Sequence, residues 1–476
     1  MSPRQAAWLL TALFAVAVSA SVFRIPIQVS DSAEILEAVD ATPSVSAAFT
    51  QGLHASRTML RPMRQTVTKM LLEVAHGIGD RYNLVFRGFH AATAALLIVL
   101  FSWVARPRDW SGVAALCFAM LVLTGLHTFG GMMREAYPIN HFLLIGIYCL
   151  ATFALAESRG GVPADIAACI IFVVASLTLE SGLVVLPIAA AAYVSGARGI
   201  SRNALVAMAA LAMGYVLLRV AGLHMVGNTV GERQTGFGTD MLTTNELRAR
   251  FGGTPWLLYA YTIVCSLLTV PFSQPIAGQW TAFERWDPLA PPLFFLNDIG
   301  TSLVVTAVIV WYLARRRAPD GRRRWLDPAP MAMHATLAGS AVLSYAYAKS
   351  EIMSAAGVFY ALVAYLAVRE LAEVLVRLKP DPTYVGSAFR RTVVLFAVLF
   401  VSTAWGWRAM GLQYRLQRGA FEARSEWVLR MPPYSSPPVP AAAARLTPRL
   451  QDEALHRGRT NPYLLWPPLA RLWGEN

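Results

Sequence analysis

Residues 84–104 read LVFRGFHAATAALLIVLFSWV, twenty-one positions in which only Arg87 and His90 can carry charge. A helix of that length covers roughly 30 Å, the thickness of bilayer hydrocarbon. Ten further windows of the same kind lie near 6–22, 111–127, 139–156, 163–179, 182–195, 204–222, 298–314, 330–347, 353–368 and 392–411, with a twelfth candidate at 256–271. The composition agrees with them: 56% hydrophobic and 14% charged residues and a mean hydropathy of +0.47 over 476 residues leave too few charges to cover a soluble globule. The expected fold class is all-α, a polytopic membrane protein of about 11 transmembrane helices. The first window follows Arg4 and ends near Ser19 and Ala20, which also fits a secretory signal; it is read as a retained helix.

A net charge of +13 would suggest nucleic acid in a soluble domain. Here the arginines lie between apolar runs, where anionic lipid headgroups are the nearer partner, so membrane lipids and not nucleic acid are expected. Cys117, Cys149, Cys169 and Cys265 all fall inside apolar runs with no metal-site spacing, and read as small core residues. Five basic patches, at 106–108, 159, 198–202, 315–324 and 377–391, fix the orientation by their excess of Arg and Lys. They share the cytoplasmic side if 256–271 lies in the interface or enters and leaves on one side, as Pro271, Pro275, Trp280 and Trp286 suggest. The N-terminus is then inside, the C-terminus outside, and the long segments 23–83, 223–297 and 412–476 face outward.

The first outer loop opens with Asp31, Glu34, Glu37 and Asp40 and should hold two interfacial helices, one from Ser30 or Asp31 and one after Pro62. In the second, Val67, Met70, Leu71, Val74 and Ile78 recur at helical spacing against Arg64, Gln65, Lys69 and Glu73. The tail from Met431 is rich in Pro and Ala without a strong pattern, and partial order is expected there.

Ionisable residues in or beside spans are costly and usually serve a polar cavity. Arg87, His90, His127, Arg134, Glu135, Glu180, Arg219, His224, Lys349 and Glu351 all fall at outer helix ends on this topology. Arg57, Arg61 and Arg64 run against the positive-inside bias, and guanidinium groups suit a phosphate partner. Each has a plainer reading: Asp31 and Glu34 as a helix cap and first-turn acid, Glu37 and Asp40 as a solvated face, the arginines as headgroup anchors, Lys349 with Glu351 as an ion pair.

The order of SDSAEIL (30–36), RPMRQTVTKMLLEVAHGIGDRYNLVFRGFHAATAALLIVLF (61–101), MREAYPINHFLLIGIY (133–148) and LTLESGLVVLP (177–187) resembles the GT-C superfamily of polytopic glycosyltransferases, closest to its protein O-mannosyltransferase-like branch. The likeness covers roughly residues 1–222; beyond it, YAYAKSEIMSAAGVFYAL (345–362) falls where such proteins often carry a charged loop before a span. The implied organisation is a GT-C-like module over 1–222, a variable transmembrane module over 223–411 and an outer tail over 412–476.

The resemblance implies a polyprenyl-phosphate-linked sugar donor, a protein, lipid or glycan acceptor and an outward-facing site, with neither metal nor other cofactor; the dispersed arginines, without an endoplasmic-reticulum signal, favour a bacterial inner membrane with that site periplasmic. By position Asp31 would be the catalytic base and Glu135 would assist. Arg57, Arg61, Arg64, Arg87, Arg134, Glu180, Arg219 and Lys349 would bind substrate or phosphate. The sequence departs from the family at two points: Leu179 precedes Glu180 where a lysine is common, and Ser32 follows Asp31 where a second acid is common. A lipid-linked glycan transporter or flippase, a glycan polymerase or ligase of another fold, and a noncatalytic membrane subunit are the alternative classes. A transporter would predict related halves and polar residues reaching the inner leaflet, and the sequence has neither.

Overall fold

The first apolar segment forms helix α1 (Pro3–Phe23) and lies along α5 (Tyr82–Ala105). Thr11 Oγ1 donates to Ser102 Oγ at 2.8 Å and Ser19 Oγ donates to the Ala91 carbonyl at 2.9 Å, so the two helices run antiparallel. In this computed structural model the described residues are 1–23, 25–27, 31–54, 60–134, 138–223, 234–235, 241–242, 245–246, 249, 256–272, 293–315, 321–345, 350–377, 385–429 and 446–456. Between α1 and α5 lie α2 (Asp31–Asp40), α3 (Val45–His54) and α4 (Pro62–Gly77). After α5 come α6 (Trp110–Gly125), α7 (His127–Arg134), α8 (His141–Ala156), α9 (Val162–Thr178), α10 (Val185–Val194) and α11 (Arg202–Leu217). The second half holds α12 (Trp256–Phe272), α13 (Leu293–Ala314), α14 (Pro328–Leu343), α15 (Ser354–Arg377), α16 (Val385–Leu429) and α17 (Leu446–Leu455). The one strand pairing among the described residues joins Gln234–Thr235 to Met241–Leu242.

Every apolar window falls on a helix. Five helices are long and apolar enough to cross a bilayer, or six if the pair α6 and α7, bent by 67° at Leu126, counts as one broken span. His141–Ala156, Val162–Thr178, Glu180–Val194 and Trp256–Phe272 are shorter apolar helices. The bundle core is continuous and apolar, running through Phe101, Leu123, Phe153, Phe172, Phe359 and Trp405.

The basic patches collect at one end of this bundle. Arg315 and Arg324 hold Glu370 at 2.9 and 2.8 Å, and Arg369 reaches Asp109 at 3.5 Å. Asp109 also caps α6 through the Gly112 amide, and its hydrogen bonds from Ser111 and Gly112 hold its carboxyl below the usual range. Each helix then ends at the opposite face, where α5 begins, α6 breaks into α7, α8 begins and α9 and α11 end. We term that face the loop end.

A second, smaller core sits at the loop end. Ile27, Leu36, Leu72, Phe86, Trp427 and Leu450 bring together the loop after α1 with α2, α4, α5, α16 and α17. The loop thus holds three helices where the sequence predicts two. Of the apolar stripe expected on α4, Met70, Val74 and Ile78 are exposed and Val67 and Leu71 pack partly against the core, while Gln65, Thr68, Lys69, Leu72 and Ala75 are buried. That is the sense expected of an interfacial helix, whose apolar stripe meets lipid while its other face meets protein.

Beyond the last apolar window the chain stays helical up to Leu429, and in the tail from Met431 the described residues 446–456 carry α17. Helix α16 continues 18 residues past the end of its apolar window, so its 45 residues span about 67 Å at 1.5 Å per residue. Glu453 of α17 then accepts from the Tyr82 and Asn83 amides at 2.9 and 2.6 Å, capping α5 from a helix 370 residues away. Replacing Glu453 by Ala is expected to cost about 1–2 kcal/mol, the range for a lost N-terminal cap with a favourable dipole interaction. A melting curve with limited proteolysis at 446–456 checks it.

At the far end of α4, His76 Nδ1 and Nε2 lie 2.9 and 3.0 Å from Asp80 and Asp40. Partial burial opposes the charged ring, but the two carboxylates outweigh it and raise the His76 pKa above 6.5. The hydrogen bond from His76 holds Asp80 below its ordinary 3.8. The His76 contribution is complete below pH 6.5 and lost as pH rises through the raised value; that of Asp80 is complete above 3.8 and lost as pH falls through the lowered one. The melting-temperature gap between wild type and His76→Gln should therefore be widest between about pH 4 and 6.5 and narrow on either side, modestly, because the cluster is exposed.

Candidate functional site

The loop leaving α1 is fixed at the loop end by three side chains from two helices, α5 and α16. The Ile27 amide donates to Asn83 Oδ1 at 3.0 Å, Trp427 Nε1 donates to the Ile27 carbonyl at 2.6 Å, and Arg87 Nη2 donates to the Pro26 carbonyl at 2.9 Å. Arg87 and His90 are each 1% exposed, sealed in the first two turns of α5. Arg87 Nη1 lies 3.3 Å from His90 Nδ1 and His90 Nε2 lies 3.2 Å from the Met132 carbonyl. Since a guanidinium only donates and a carbonyl only accepts, the partners select the neutral tautomer with hydrogen on Nε2. Asn140 donates to the same carbonyl, while its Oδ1 caps α8 at the Leu143 amide.

This chain of bonds ties the first loop to α5 and α7. Asp31 begins α2 four residues after Ile27, so its backbone lies within about 14 Å of that anchor. Glu135 follows Met132 by three residues in sequence. Arg87 therefore acts here as a structural donor to backbone, holding the segment that leads to Asp31.

A second cluster forms where α4, α9 and α11 meet. Arg61, immediately before α4, donates from Nε and Nη2 to Glu180 Oε2 at 2.9 and 2.8 Å. Arg219 Nη1 approaches Glu180 Oε1 at 3.9 Å, and the side chains of Arg61, Glu180 and Arg219 are 19%, 20% and 21% exposed. Buried Tyr215 lies one turn before Arg219. Glu180 can occupy this place because the chain turns sharply after α9: a Cβ at Gly182 would sit 2.2 Å from the Ala175 carbonyl carbon. Arg219 is delivered by a single π turn, Leu218–Gly222. Two guanidinium groups around one carboxylate leave a net positive rim, suited to an anion. Leu179 leaves Glu180 without an adjacent lysine, and Arg61 and Arg219 supply the positive charge from 119 and 39 residues away.

Arg64 lies one turn along α4 from Arg61, partly buried. Glu351 lies beside α7, where a Cβ at Gly131 would come within 2.6 Å of its Cγ. Arg57, Glu135, Lys349 and His224, together with the side chains of Asp31, Glu34 and Arg134, lie outside the described residues.

Two residues at the loop end escape the sequence reading. Arg408 of α16 is 4% exposed; its Nε lies 3.3 Å from Asp298 Oδ1 and its Nη1 donates to the Asp298 carbonyl, Thr301 Oγ1 and Ser302 Oγ. Arg408 lies inside the window 392–411, so the criterion that selects Arg87, an ionisable side chain within a span, selects it as well. Asp298, at the very start of its window, carries no such signal alone.

Comparison of the chain with family models, with curated proteins and with solved structures returns no match in any of the three.

Proposed function

We propose that this chain is a GT-C-type membrane glycosyltransferase that moves a sugar from a polyprenyl-phosphate donor to an acceptor at the loop end, with inversion. The observation that carries the reading is the gathering of Arg61, Arg87, His90, Glu180, Arg219 and Arg408 at one end of an apolar bundle, where Arg87 also pins the segment that leads into Asp31. The basic patches of the opposite end instead make structural ion pairs around Asp109 and Glu370. This separation supports a bacterial inner-membrane protein whose basic end faces the cytoplasm.

Eleven crossings follow if α12 enters and leaves on one side, which its contacts support. Tyr259 stacks edge-on against Tyr345 at 5.3 Å, beyond the loop-end terminus of α14. The Pro271 carbonyl accepts from Thr306, which bonds Tyr360 in the second turn of α15.

In this scheme Asp31 takes the proton of an acceptor hydroxyl as its oxygen attacks the anomeric carbon from the face opposite the phosphate. The bond from that carbon to the phosphate oxygen breaks, and the electron pair leaves with the polyprenyl phosphate. Arg61 and Arg219, with Arg57, Arg64, Arg134 and Lys349 in supporting positions, stabilise the departing charge, while Glu180 fixes the two guanidinium groups. Glu135 assists at the acceptor side. The scheme needs no metal.

The test is purified protein incubated with radiolabelled polyprenyl-phosphate sugars and membrane extract as acceptor source. Release of polyprenyl phosphate coupled to labelling of a second molecule supports the reading; no turnover with hexose, pentose or aminosugar donors by a folded protein argues for a transporter or a noncatalytic subunit.

A further inference from the structure

Helix α7 meets α16 along a tight seam. A Cβ at Gly125 would stand 2.8 Å from the Trp405 ring and 3.4 Å from Arg408 Cβ, and one at Gly130 would stand 2.8 Å from Leu412. Arg408, Leu412 and Arg415 follow at four- and three-residue steps, so they share the face of α16 that α7 covers. His127, the first residue of α7, sits in this seam with both ring nitrogens buried and neither bonded to a protein group. Arg408 and Arg415, across the seam, are both close enough to act on the charge of its ring.

The polar groups of the seam are almost all donors. Arg408 is committed to Asp298, Thr301 and Ser302, and its guanidinium stacks on Trp405 at 4.0 Å. Trp405 Nε1 is buried with no acceptor. Arg415 is partly buried and, among the described residues, makes neither an ion pair nor a hydrogen bond. Among the described residues a further carboxylate, Glu351, lies against Gly131, one turn farther along α7, and joins neither arginine in an ion pair. Two guanidinium groups, one committed carboxylate, an indole N–H and an orphaned imidazole leave the seam positive and rich in donors. Buried polar groups of native proteins are bonded, and an uncompensated buried charge is costly. The missing partner is an anion with several acceptor oxygens.

We propose that the seam between α7 and α16 binds a phosphate-type anion, held by the Arg415 fork and the His127 ring against Arg408. The site shares no residue with the cluster of Arg61, Glu180 and Arg219 and does not rest on the transferase reading. The same chemistry is offered by an anionic lipid headgroup and by a soluble phosphate.

Purified full-length protein in neutral detergent tests it, with native mass spectrometry of added phosphatidylglycerol against phosphatidylcholine, and with thermal shifts on added inorganic phosphate against chloride at equal ionic strength. Wild type is expected to bind phosphatidylglycerol, phosphate or both at least tenfold more tightly than Arg415→Gln, with Arg415→Lys retaining most of the affinity and His127→Gln losing several-fold. Phosphatidylglycerol binding without a phosphate response assigns the site to a lipid headgroup; a phosphate response assigns it to the soluble anion. An arginine that merely touches headgroups at the surface would be indifferent to His127→Gln, and that indifference, or equal binding by Arg415→Gln and wild type, overturns the proposal. Melting curves without ligand identify variants that fail to fold, in which case the comparison of wild type with Arg415→Lys and His127→Gln decides.

Discussion

Under the transferase reading, Asp31→Asn is expected to lower sugar transfer by about 10²–10⁴-fold, the contribution typical of a positioned general base, with folding intact. The exchange alters one atom of the side chain and removes its ability to take a proton. Asn is as good a helix-starting residue as Asp, so α2, which begins at this position, keeps its start. That choice separates the two readings of Asp31. A residue that only caps α2 tolerates Asn with little change in rate or melting temperature; a base does not. The measurement is the initial rate of label transfer from a polyprenyl-phosphate sugar, beside a melting curve of the same preparation. Activity within about threefold of wild type would remove Asp31 from the mechanism. The placement of α2 makes the residue a strong candidate: Asn83 and Arg87 at the start of α5 and Trp427 of α16 all bind the backbone of Pro26 and Ile27 just before it. Three anchors on two consecutive residues are more than a passive linker requires.

The apolar windows were legible because a membrane span is a composition signal: some twenty residues without charge leave few alternatives to a helix. The start of α2 at Asp31 and of α4 at Pro62 were legible from capping chemistry and from proline at the first helical position. Helix α16 beyond residue 411 was not. Leu412, Leu416, Ala420, Ala423 and Trp427 do repeat at helical spacing and are all buried, but Arg415, Arg418 and Arg424 between them pull the average hydropathy down and hide the stripe. Which residues of α4 pack on protein was hidden for a different reason. A sequence shows that a helix has an apolar side, not whether lipid or protein covers it.

The candidate site divides in the same way. Its expensive residues could be picked out one by one, and their common end followed from helix alternation. Which of them pair could not, because Arg61 and Glu180 are separated by 119 residues and meet only through the docking of α4 on the bundle.

That pairing gives the second large effect. Glu180→Ala is expected to destabilise the protein by about 3 kcal/mol, the lower end for removing one partner of a buried ion pair, since the cluster is only about a fifth exposed. The loss arises less from the attraction removed than from what is left, Arg61 and Arg219 facing one another without a counter-charge. Two further measurements separate this from a simple packing defect. In a double-mutant cycle, Arg61→Ala in the Glu180→Ala background should cost much less than in wild type, with a coupling of about 1–3 kcal/mol. A cycle that closes to zero would mean that the pair contributes nothing. Under the transferase reading, the phosphate of a released polyprenyl chain also meets these guanidinium groups. Added polyprenyl phosphate should then restore more stability to Glu180→Ala than it adds to wild type, because in the variant the ligand replaces the carboxylate that Arg61 and Arg219 share and the gain follows its affinity for the folded state. Equal stabilisation of the two proteins would leave Arg61 and Arg219 as scaffolding and move the leaving-group site elsewhere at the loop end.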